Sequence, residues 1–506
     1  MSSPIATAPG VTHTEAPAAT RSRLVTALVL MVANGSLART AERVLIPEGE
    51  TVIIGRHDPA RPTKLAHFAQ HRPGMPMPPP SPAGGLPCPT VSHEQLRVTG
   101  TKDGLEVTVI GTCKTQLNGE PFAEGLVRGD DSIMLVGEAV LLCIWTPLEL
   151  PMPPDDVPLQ AFGRKDVRGI PGESAAVWEL RRVVDAVAAS SQDVVVLGES
   201  GSGKSAVSRA IHLRSSRRNG PMVERSALHF TPELKEGQLF GSKRGVVGSG
   251  KEVFEGIFPE AQGGTIILDE IGLAPLWLQE ALLSTLDKGV FTVVGAGRPT
   301  SVDVRIVSTA NQDPTRAFRP DFDARLALRV HVPPVREHRD DIGFMLREFL
   351  EEADADALRA GAKGDLPSSR RISPTFVDFL MRHPLPTNAR QIRNILHAAL
   401  LADTPGHVKL TKSLIESIPP SRQPVSVAPA SAAPVSQPRE SQRESTPDGA
   451  RRSGRPKEEP VRGETEVRES LAATGWDATK AAARLGISRG QMLRLMEKLG
   501  VKRPGP

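Results

Sequence analysis

Apolar positions along the chain form three kinds of pattern. Short apolar runs separated by turn residues fill the first 150 positions, and apolar runs mixed with helical periodicity fill 165–418. Helical periodicity returns over 466–501. Proline lacks the backbone donor that helices and inner strands need, so proline-rich stretches predict loops or boundaries. The proline-rich stretches are 71–89, 150–158 and 419–460.

These patterns predict a multidomain chain with three folded units, since a chain of 506 residues is too long for one hydrophobic core. A β-sandwich is expected over 20–148, with a proline-rich surface insertion at 57–90. An α/β domain is expected over 165–418, with a helical lid from about residue 340. Segment 419–460 lacks apolar periodicity and predicts a disordered linker, followed by an all-α unit over 461–506.

Composition and charge narrow the function classes. The apolar run 24–33 is too short to span a bilayer and ends at Asn34-Gly35, so it predicts a strand and no membrane association. Three widely spaced cysteines argue against a disulfide framework or a zinc site, and favour the cytoplasm. Residues 451–506 carry 13 Lys/Arg against 7 Asp/Glu, which suggests either a polyanionic partner or a solvated tail.

The tetrapeptide GSGK occurs twice, each time completing the spacing G-x-x-x-x-G-K. The first copy lies between the buried strand pattern VVVL, 194–197, and the helical segment 206–213. Such a glycine turn binds phosphates through backbone N–H groups, while its lysine neutralises charge and a hydroxyl holds Mg²⁺. The alternative is a plain glycine turn. The predicted nucleotide residues are Gly198, Glu199, Ser200, Gly201, Ser202, Gly203, Lys204 and Ser205, with Ser205 as the Mg²⁺ ligand.

The second copy, which ends at Lys251, lacks the features of a nucleotide site. No buried strand precedes it, Glu252 stands in place of the hydroxyl residue, and the next strand pattern, TIILDE at 265–270, is too close. A parallel strand–helix–strand unit needs about 30 residues. TIILDE instead fits the first copy, with Asp269 predicted to hold Mg²⁺ through water and Glu270 to polarise the attacking water.

The order of these motifs resembles the AAA+ domain of bacterial enhancer-binding proteins, the ATPases that activate sigma-54 RNA polymerase. GESGSGKS resembles the Walker A motif, GGTIILDEI the Walker B motif and VRIVSTANQD the sensor I strand, within a match over about 170–400. The resemblance implies ATP as the nucleotide. It also implies roles for Asn311 in sensor I, Arg319 and Arg325 as arginine fingers, and Arg390 in sensor II.

Arg319 and Arg325, six positions apart, could be ordinary surface charges. In a ring ATPase such arginines enter the site of the neighbouring subunit and stabilise charge on the γ-phosphate. Arginine fingers contribute roughly 10³–10⁵ in rate in other phosphoryl-transfer enzymes. The resemblance therefore implies a hexameric ring in which an isolated chain is a poor ATPase.

The second GSGK lies where the resembled family carries its GAFTGA loop, which contacts sigma-54. Valine and glycine stand where the family has phenylalanine and threonine, and they offer less contact area than an aromatic anchor. Two hypotheses are therefore open for this loop: it engages sigma-54, or it no longer does. The loop residues are Gly245, Val246, Val247, Gly248, Ser249 and Gly250.

The N-terminal unit resembles a forkhead-associated (FHA) domain, which binds phosphothreonine. The segments IIGR, VSHEQLRV, GTCKTQLNG and GDDSIMLVG carry the resemblance. Arg56, Ser92 and Thr112 are the implied phosphate-binding residues, because a phosphate dianion needs an arginine and hydroxyl donors. Gln95 and Cys113 depart from the family, which has histidine and asparagine at these positions. The alternative is a sandwich used only for packing or dimerisation.

The last segment, 466–501, predicts a helix-turn-helix with a turn at Gly486 and a helix cap at Ser488. It resembles the Fis-like DNA-binding domain of the same regulators, and the alternative is a small helical packing module. The implied DNA contacts are Ser488, Arg489, Gln491 and Arg494.

Together these predictions describe a transcription regulator. It would bind an upstream activating sequence on DNA, hydrolyse ATP with Mg²⁺ in a ring, and remodel sigma-54 holoenzyme in response to a phosphothreonine protein. The rival hypothesis is a DNA-binding regulator whose loop no longer engages sigma-54 and whose ATP serves assembly only.

Overall fold

The computed structural model describes most of the chain up to residue 418 and a few positions beyond it. The chain divides into two compact units, residues 1–427 and 428–506. The predicted linker, the loop 245–250 and the DNA contacts lie outside the described residues. Within the described residues, no helix combines the length and the apolar character that crossing a membrane requires. The described residues are 24–56, 65–72, 75, 85–148, 160–243, 255–311, 318–359, 370–402, 407–418, 470–472, 481 and 492.

Ten strands form two antiparallel sheets in the N-terminal part. The strands are β1 Leu24–Ala33, β2 Arg43–Ile46, β3 Thr51–Ile54, β4 Leu96–Thr101, β5 Gly104–Val109, β6 Thr115–Leu117, β7 Glu120–Pro121, β8 Glu124–Val127, β9 Ser132–Leu135 and β10 Ala139–Pro147. One sheet has the order β2-β1-β10-β9-β6-β7 and the other β3-β4-β5-β8. Buried residues of both sheets, among them Leu28, Leu141, Leu96 and Val107, share one core. This arrangement is consistent with the predicted β-sandwich.

The described residues of the proline-rich insertion, 65–72, 75 and 85–90, differ in part from the predicted surface loop. Phe68, Leu86 and Cys88 are buried in the core between the two sheets. Ala66 N donates to Ile53 O at 2.7 Å, and Leu86 N donates to Gly55 O at 2.9 Å. Proline excludes regular strands here, yet apolar residues between the prolines still reach the core because isolated backbone hydrogen bonds anchor them.

A five-stranded parallel sheet organises the central part, in the order β12-β13-β16-β11-β17. The strands are β11 Val194–Leu197, β12 Met222–Ser226, β13 Thr265–Asp269, β14 Val290–Phe291, β15 Thr300–Ser301, β16 Arg305–Ala310 and β17 Leu328–His331, with β14 and β15 as a separate hairpin. The helices are α1 Ala175–Ala188, α2 Lys204–Arg214, α3 Lys235–Phe240, α4 Ile257–Glu260, α5 Leu276–Lys288 and α6 Pro320–Arg325. Apolar cores cover both faces of the parallel sheet. All five carboxyl ends meet at one edge, where ligands of such sheets bind.

Among the described residues up to 418, four helices follow the parallel sheet and are called the lid below. They are α7 Ile342–Arg359, α8 Pro374–Arg382, α9 Asn388–Ala402 and α10 Lys412–Ser417, accompanied by the strand pair β18 Arg371–Ile372 and β19 His407–Val408. Short 3-10 turns occur at Ala227–His229, Ile271–Leu273, Val335–Glu337 and Arg339–Asp341.

The six-stranded sheet of the sandwich packs its outer face against the lid. Along β1, Leu28 and Leu30 point into the sandwich core, whereas Val29 and Met31 join the apolar core of the lid helices. β10 alternates in the same way. A strand that is buried on both faces needs apolar residues at nearly every position, which explains the run 24–33, where Thr26 is the one polar residue.

Polar contacts also join the sandwich to the lid. Ser132 Oγ donates to Asp378 Oδ1 at 2.6 Å, and Ile372 N donates to Gly35 O at 2.8 Å. A Cβ on Gly343 of α7 would lie 1.8 Å from Thr40 Oγ1, so this close approach requires glycine. The sandwich and the lid therefore share one apolar core and lie in the same compact unit, a contact that the sequence did not predict.

Candidate functional site

The first glycine-rich turn connects β11 to α2 at the carboxyl edge of the parallel sheet. β11 is fully buried, and α2 begins at Lys204 directly after the turn. Gly201 and Gly203 have φ values of +73° and +106°, which side-chain-bearing residues rarely adopt. A Cβ on Gly201 would also lie 2.3 Å from Thr387 O, at the edge of the lid. The glycines thus let the turn fold tightly between the helix N-terminus and the lid.

Two acids, Asp269 and Glu270, lie at the end of β13 and are called the acidic pair below. Thr309 of the adjacent strand β16 contacts both: its hydroxyl donates to Asp269 Oδ1 at 3.0 Å and accepts from Glu270 N at 3.0 Å. Glu270 has φ +60°, an uncommon value for a residue other than glycine. Sequence reasoning missed Thr309, because only the pairing of β13 with β16 brings it to the acidic pair.

Lys204 lies among the predicted site residues at this edge. Its Nζ donates to Gly198 O at 3.0 Å, to Glu199 O at 2.9 Å, and to Asn311 Oδ1. Burial lowers the pKa of Lys204 below its usual value, and the carboxylates of the acidic pair offset this only in part. The structure thus brings Lys204 and Asn311 into contact near the two carboxylates of the acidic pair.

The lid contacts the glycine turn through two residues near the start of α9. Arg390 Nη1 donates to Ser200 Oγ at 2.7 Å, and Asn388 Nδ2 donates to Glu199 Oε2 and Ser200 O, both at 3.1 Å. Arg336 forms an ion pair with Glu199 at 2.7 Å. Sequence reasoning selected Arg390 but missed Asn388 and Arg336; the only signal was that Asn388 begins the segment NARQIRN.

A cavity of about 380 Å³ lies beside the glycine turn, beneath the lid. Its walls are mainly apolar, and Ser202 and Gly203 of the turn and the charged Arg390 of the lid also line it. A cavity with apolar walls and a few polar groups is typical of a small-molecule site. Sequence reasoning missed the cavity, because its lining comes from several separate segments. The lining residues include Ile170, Pro171, Val177, Gly203, Val207, Val332, Phe349 and Arg390.

The two predicted arginine fingers lie away from the turn of their own chain. Arg325 Nε is 3.5 Å from Asp193 Oδ2, directly before β11, whereas the turn leaves the opposite end of that strand. Four strand residues correspond to about 13 Å at roughly 3.3 Å each. Arg319 forms ion pairs with Asp321 and with Glu280 of α5. Among the described contacts, neither arginine bonds to the glycine turn of its own chain.

The three predicted phosphopeptide residues are neighbours at one end of the sandwich. Arg56 N donates to Ser92 O at 3.0 Å, and Thr112 N donates to Ser92 Oγ at 2.9 Å. Gln95 is fully buried, and its side chain bonds to Cys113 O at 2.8 Å and Cys113 N at 3.1 Å. Gln95 therefore holds the Thr112 loop in place; phosphopeptide binding itself stays a prediction.

Comparison with known proteins places the chain in a family. Residues 170–336 match the family model described as "Sigma-54 interaction domain". The "DNA-binding transcriptional regulator NtrC" of Azospirillum brasilense is 31% identical over 366 residues, which cover 69% of this chain and 73% of that protein. NtrC of Rhizobium meliloti is 32% identical, over 65% of this chain and 69% of that protein. The chain belongs to the NtrC family of sigma-54-dependent transcription regulators.

The NtrC-family match coincides with the site. The matched range contains the glycine turn, the acidic pair and both arginines, whereas the strands of the sandwich lie before it. A solved structure of NtrX from Brucella abortus in complex with ATP is 28% identical, with a TM-score of 0.42, over 66% of this chain and 69% of that one. As an NtrC-family member, the chain takes part in sigma-54-dependent transcription and has the AAA+ ATPase domain of that family.

Proposed function

We propose that this chain hydrolyses ATP in a cytoplasmic ring, bound to DNA, to remodel sigma-54 RNA polymerase holoenzyme. The observation that carries the proposal is the meeting of Lys204, Asn311 and the acidic pair at one edge of the parallel sheet, below a lid that contacts the glycine turn. This combination can bind a triphosphate, neutralise its charge and orient a water molecule.

The glycine turn would bind the phosphates of the nucleotide, and the cavity would bind its base. Backbone N–H groups of the turn and the N-terminus of α2 favour the phosphates. Lys204 would exchange its bonds to Gly198 O and Glu199 O for bonds to phosphate oxygens, which carry more charge. The apolar cavity beside the turn suits a flat base, and Arg390 of the lid would contact the phosphate region.

Mg²⁺ fits the donor set at this edge, because a hydroxyl and a carboxylate are oxygen ligands of the kind it prefers. Ser205, the second residue of α2, and Asp269 would hold the ion. The bound ion neutralises charge on the phosphate oxygens. Glu270, directly after Asp269, would polarise the attacking water.

The position of the arginines supports assembly into a ring. Arg325 lies near the amino end of β11, whereas the glycine turn of the same chain follows the carboxyl end of that strand. The guanidinium that stabilises the γ-phosphate would therefore come from a neighbouring chain. A hexamer follows from the resemblance described above.

The proposed binding of a phosphothreonine protein, of DNA and of sigma-54 rests mainly on the sequence. Arg56, Ser92 and Thr112 would bind a phosphothreonine protein, and residues 461–506 would bind DNA. The loop 245–250 favours a second candidate, in which the chain hydrolyses ATP for assembly but does not engage sigma-54.

One experiment on the full-length chain separates these functions. We expect Lys204→Ala to abolish ATP hydrolysis, whereas the matched control Lys251→Ala leaves nucleotide affinity unchanged. Binding of purified sigma-54 is then measured with an ATP transition-state analogue. Binding supports remodelling; hydrolysis without binding favours the second candidate. Equal losses of nucleotide affinity in the two lysine variants would refute the choice of site.

A further inference from the structure

The hydroxyl of Thr309 contacts both members of the acidic pair. Thr309 is only 1% exposed. Its single proton is donated to Asp269 Oδ1, and its oxygen accepts the backbone N–H of Glu270, both at 3.0 Å. A threonine hydroxyl has one donor and two acceptor positions, so both kinds of capacity are used here.

Each of these bonds constrains a group that the proposed reaction needs. The bond to Asp269 is charge-assisted and restricts rotation of the carboxylate. The bond to Glu270 N holds the backbone of a residue at φ +60°, which an ordinary side chain adopts only when its surroundings impose it. The backbone conformation of a residue sets the direction of its side chain. This second bond therefore also constrains the direction in which the Glu270 side chain points.

The neighbouring residue Ser308 provides a contrast. Ser308 is fully buried on the same strand, and its hydroxyl has no hydrogen-bond partner within the described part of the chain. Burial of a hydroxyl in β16 therefore does not by itself bring it to the acidic pair. Side chains alternate along a strand, so only Thr309 has the direction that reaches Asp269.

We propose that Thr309 is a positioning residue for ATP hydrolysis, which orients both the Mg²⁺-binding carboxylate of Asp269 and the backbone of Glu270. This inference rests on the ATPase function proposed above. Valine has the shape of threonine but makes neither bond, whereas serine retains the hydroxyl. The two substitutions therefore separate the hydrogen bonds from packing.

The test compares full-length wild type with Thr309→Val, Thr309→Ser and the control Ser308→Ala. Steady-state kcat and KM for ATP are measured, together with the affinity for a fluorescent ATP analogue with and without Mg²⁺, and the melting temperature. We expect Thr309→Val to lower kcat about 10-fold to 100-fold, as for loss of a hydrogen bond to a charged group. Its KM for ATP, measured with Mg²⁺, should rise by up to about 10-fold, because the carboxylate that would hold the ion is less well oriented.

The Mg²⁺ dependence gives a readout that does not require turnover. In Thr309→Val the affinity without Mg²⁺ should equal that of wild type, while the gain in affinity on adding Mg²⁺ should shrink about 10-fold. Thr309→Ser should restore kcat to within about threefold of wild type, and Ser308→Ala should match wild type.

Three results would overturn the inference. The first is a Thr309→Val chain that keeps more than half of the wild-type kcat and the full Mg²⁺ effect. The second is a Thr309→Ser chain as impaired as Thr309→Val, which would show that the methyl group matters. The third is a wild type without ATP hydrolysis or Mg²⁺-dependent nucleotide binding, which would refute the proposed function and this inference together.

Discussion

Substitution of Ser132 by alanine tests whether the sandwich stabilises the lid. Ser132 lies on β9 and is fully buried, and its hydroxyl donates to the buried carboxylate of Asp378 on α8 at 2.6 Å. The other carboxylate oxygen pairs with Arg382 at 2.8 Å. Alanine removes the hydroxyl that makes this contact and creates almost no cavity. The change in stability therefore comes mainly from the lost hydrogen bond.

The structure sets the size of the expected effect. Hydrogen bonds to charged groups contribute about 1.5–3 kcal/mol, and a buried acceptor that loses its partner retains its desolvation cost. We therefore expect Ser132→Ala to lower the free energy of opening the contact between the sandwich and the lid by about 2 kcal/mol. Because 1.36 kcal/mol corresponds to a factor of ten, the opening equilibrium should rise about 30-fold.

Hydrogen exchange of the full-length chain, followed by mass spectrometry, measures this opening locally. Amides of α8 and β9 should both exchange about 30-fold faster in Ser132→Ala than in wild type. Thr51→Val is the matched control, because it removes an exposed hydroxyl contact, Thr51 to Thr99 at 2.9 Å, on the other sheet. Such a surface change is expected to alter exchange by less than about threefold.

Faster exchange of β9 with unchanged protection of α8 would refute the reasoning. It would mean that the lid holds its structure without the sandwich. Equal acceleration in Thr51→Val would show instead that any loss of a hydroxyl loosens the sandwich.

Two further predictions concern assembly and DNA. Chains with Arg325→Ala and chains with Lys204→Ala should each lack ATPase activity, yet a mixed ring should recover about a quarter of the wild-type sites, since one chain supplies the arginine and its neighbour the lysine. An inactive mixture that demonstrably co-assembles would contradict an arginine in trans. Removal of 461–506 should abolish binding to DNA selected by the full chain from a random library, and leave ATP hydrolysis unchanged. Retained affinity for the selected DNA would contradict the assignment of this segment.

Local sequence was sufficient to predict the strands, the turn and the helix that form the proposed phosphate site. The runs 194–197 and 265–270 predicted buried strands, and the structure has β11 at Val194–Leu197 and β13 at Thr265–Asp269. Glycine spacing before a lysine predicted the turn and the helix after it. These features are local because a buried strand, a tight turn and a helix start each depend on neighbouring residues.

Contacts between distant segments could not be predicted in this way. Thr309 reaches the acidic pair only because β13 and β16 are adjacent in the sheet, and Asn388 reaches the glycine turn only because the lid folds over it. No local pattern shows which distant group either residue contacts. Threonine is common in strands, and asparagine is common at helix starts.

The sequence by itself determined the order of the elements, the phosphate-binding turn and the family resemblance, because each depends on residues close together in the chain. Only the tertiary structure decided that the sandwich and the lid share one core. The largely apolar run 24–33 required burial on both faces, but its partners, the lid helices, follow more than 300 residues later. A hydrophobic pattern shows that a face must be covered, and the fold decides which distant segment covers it.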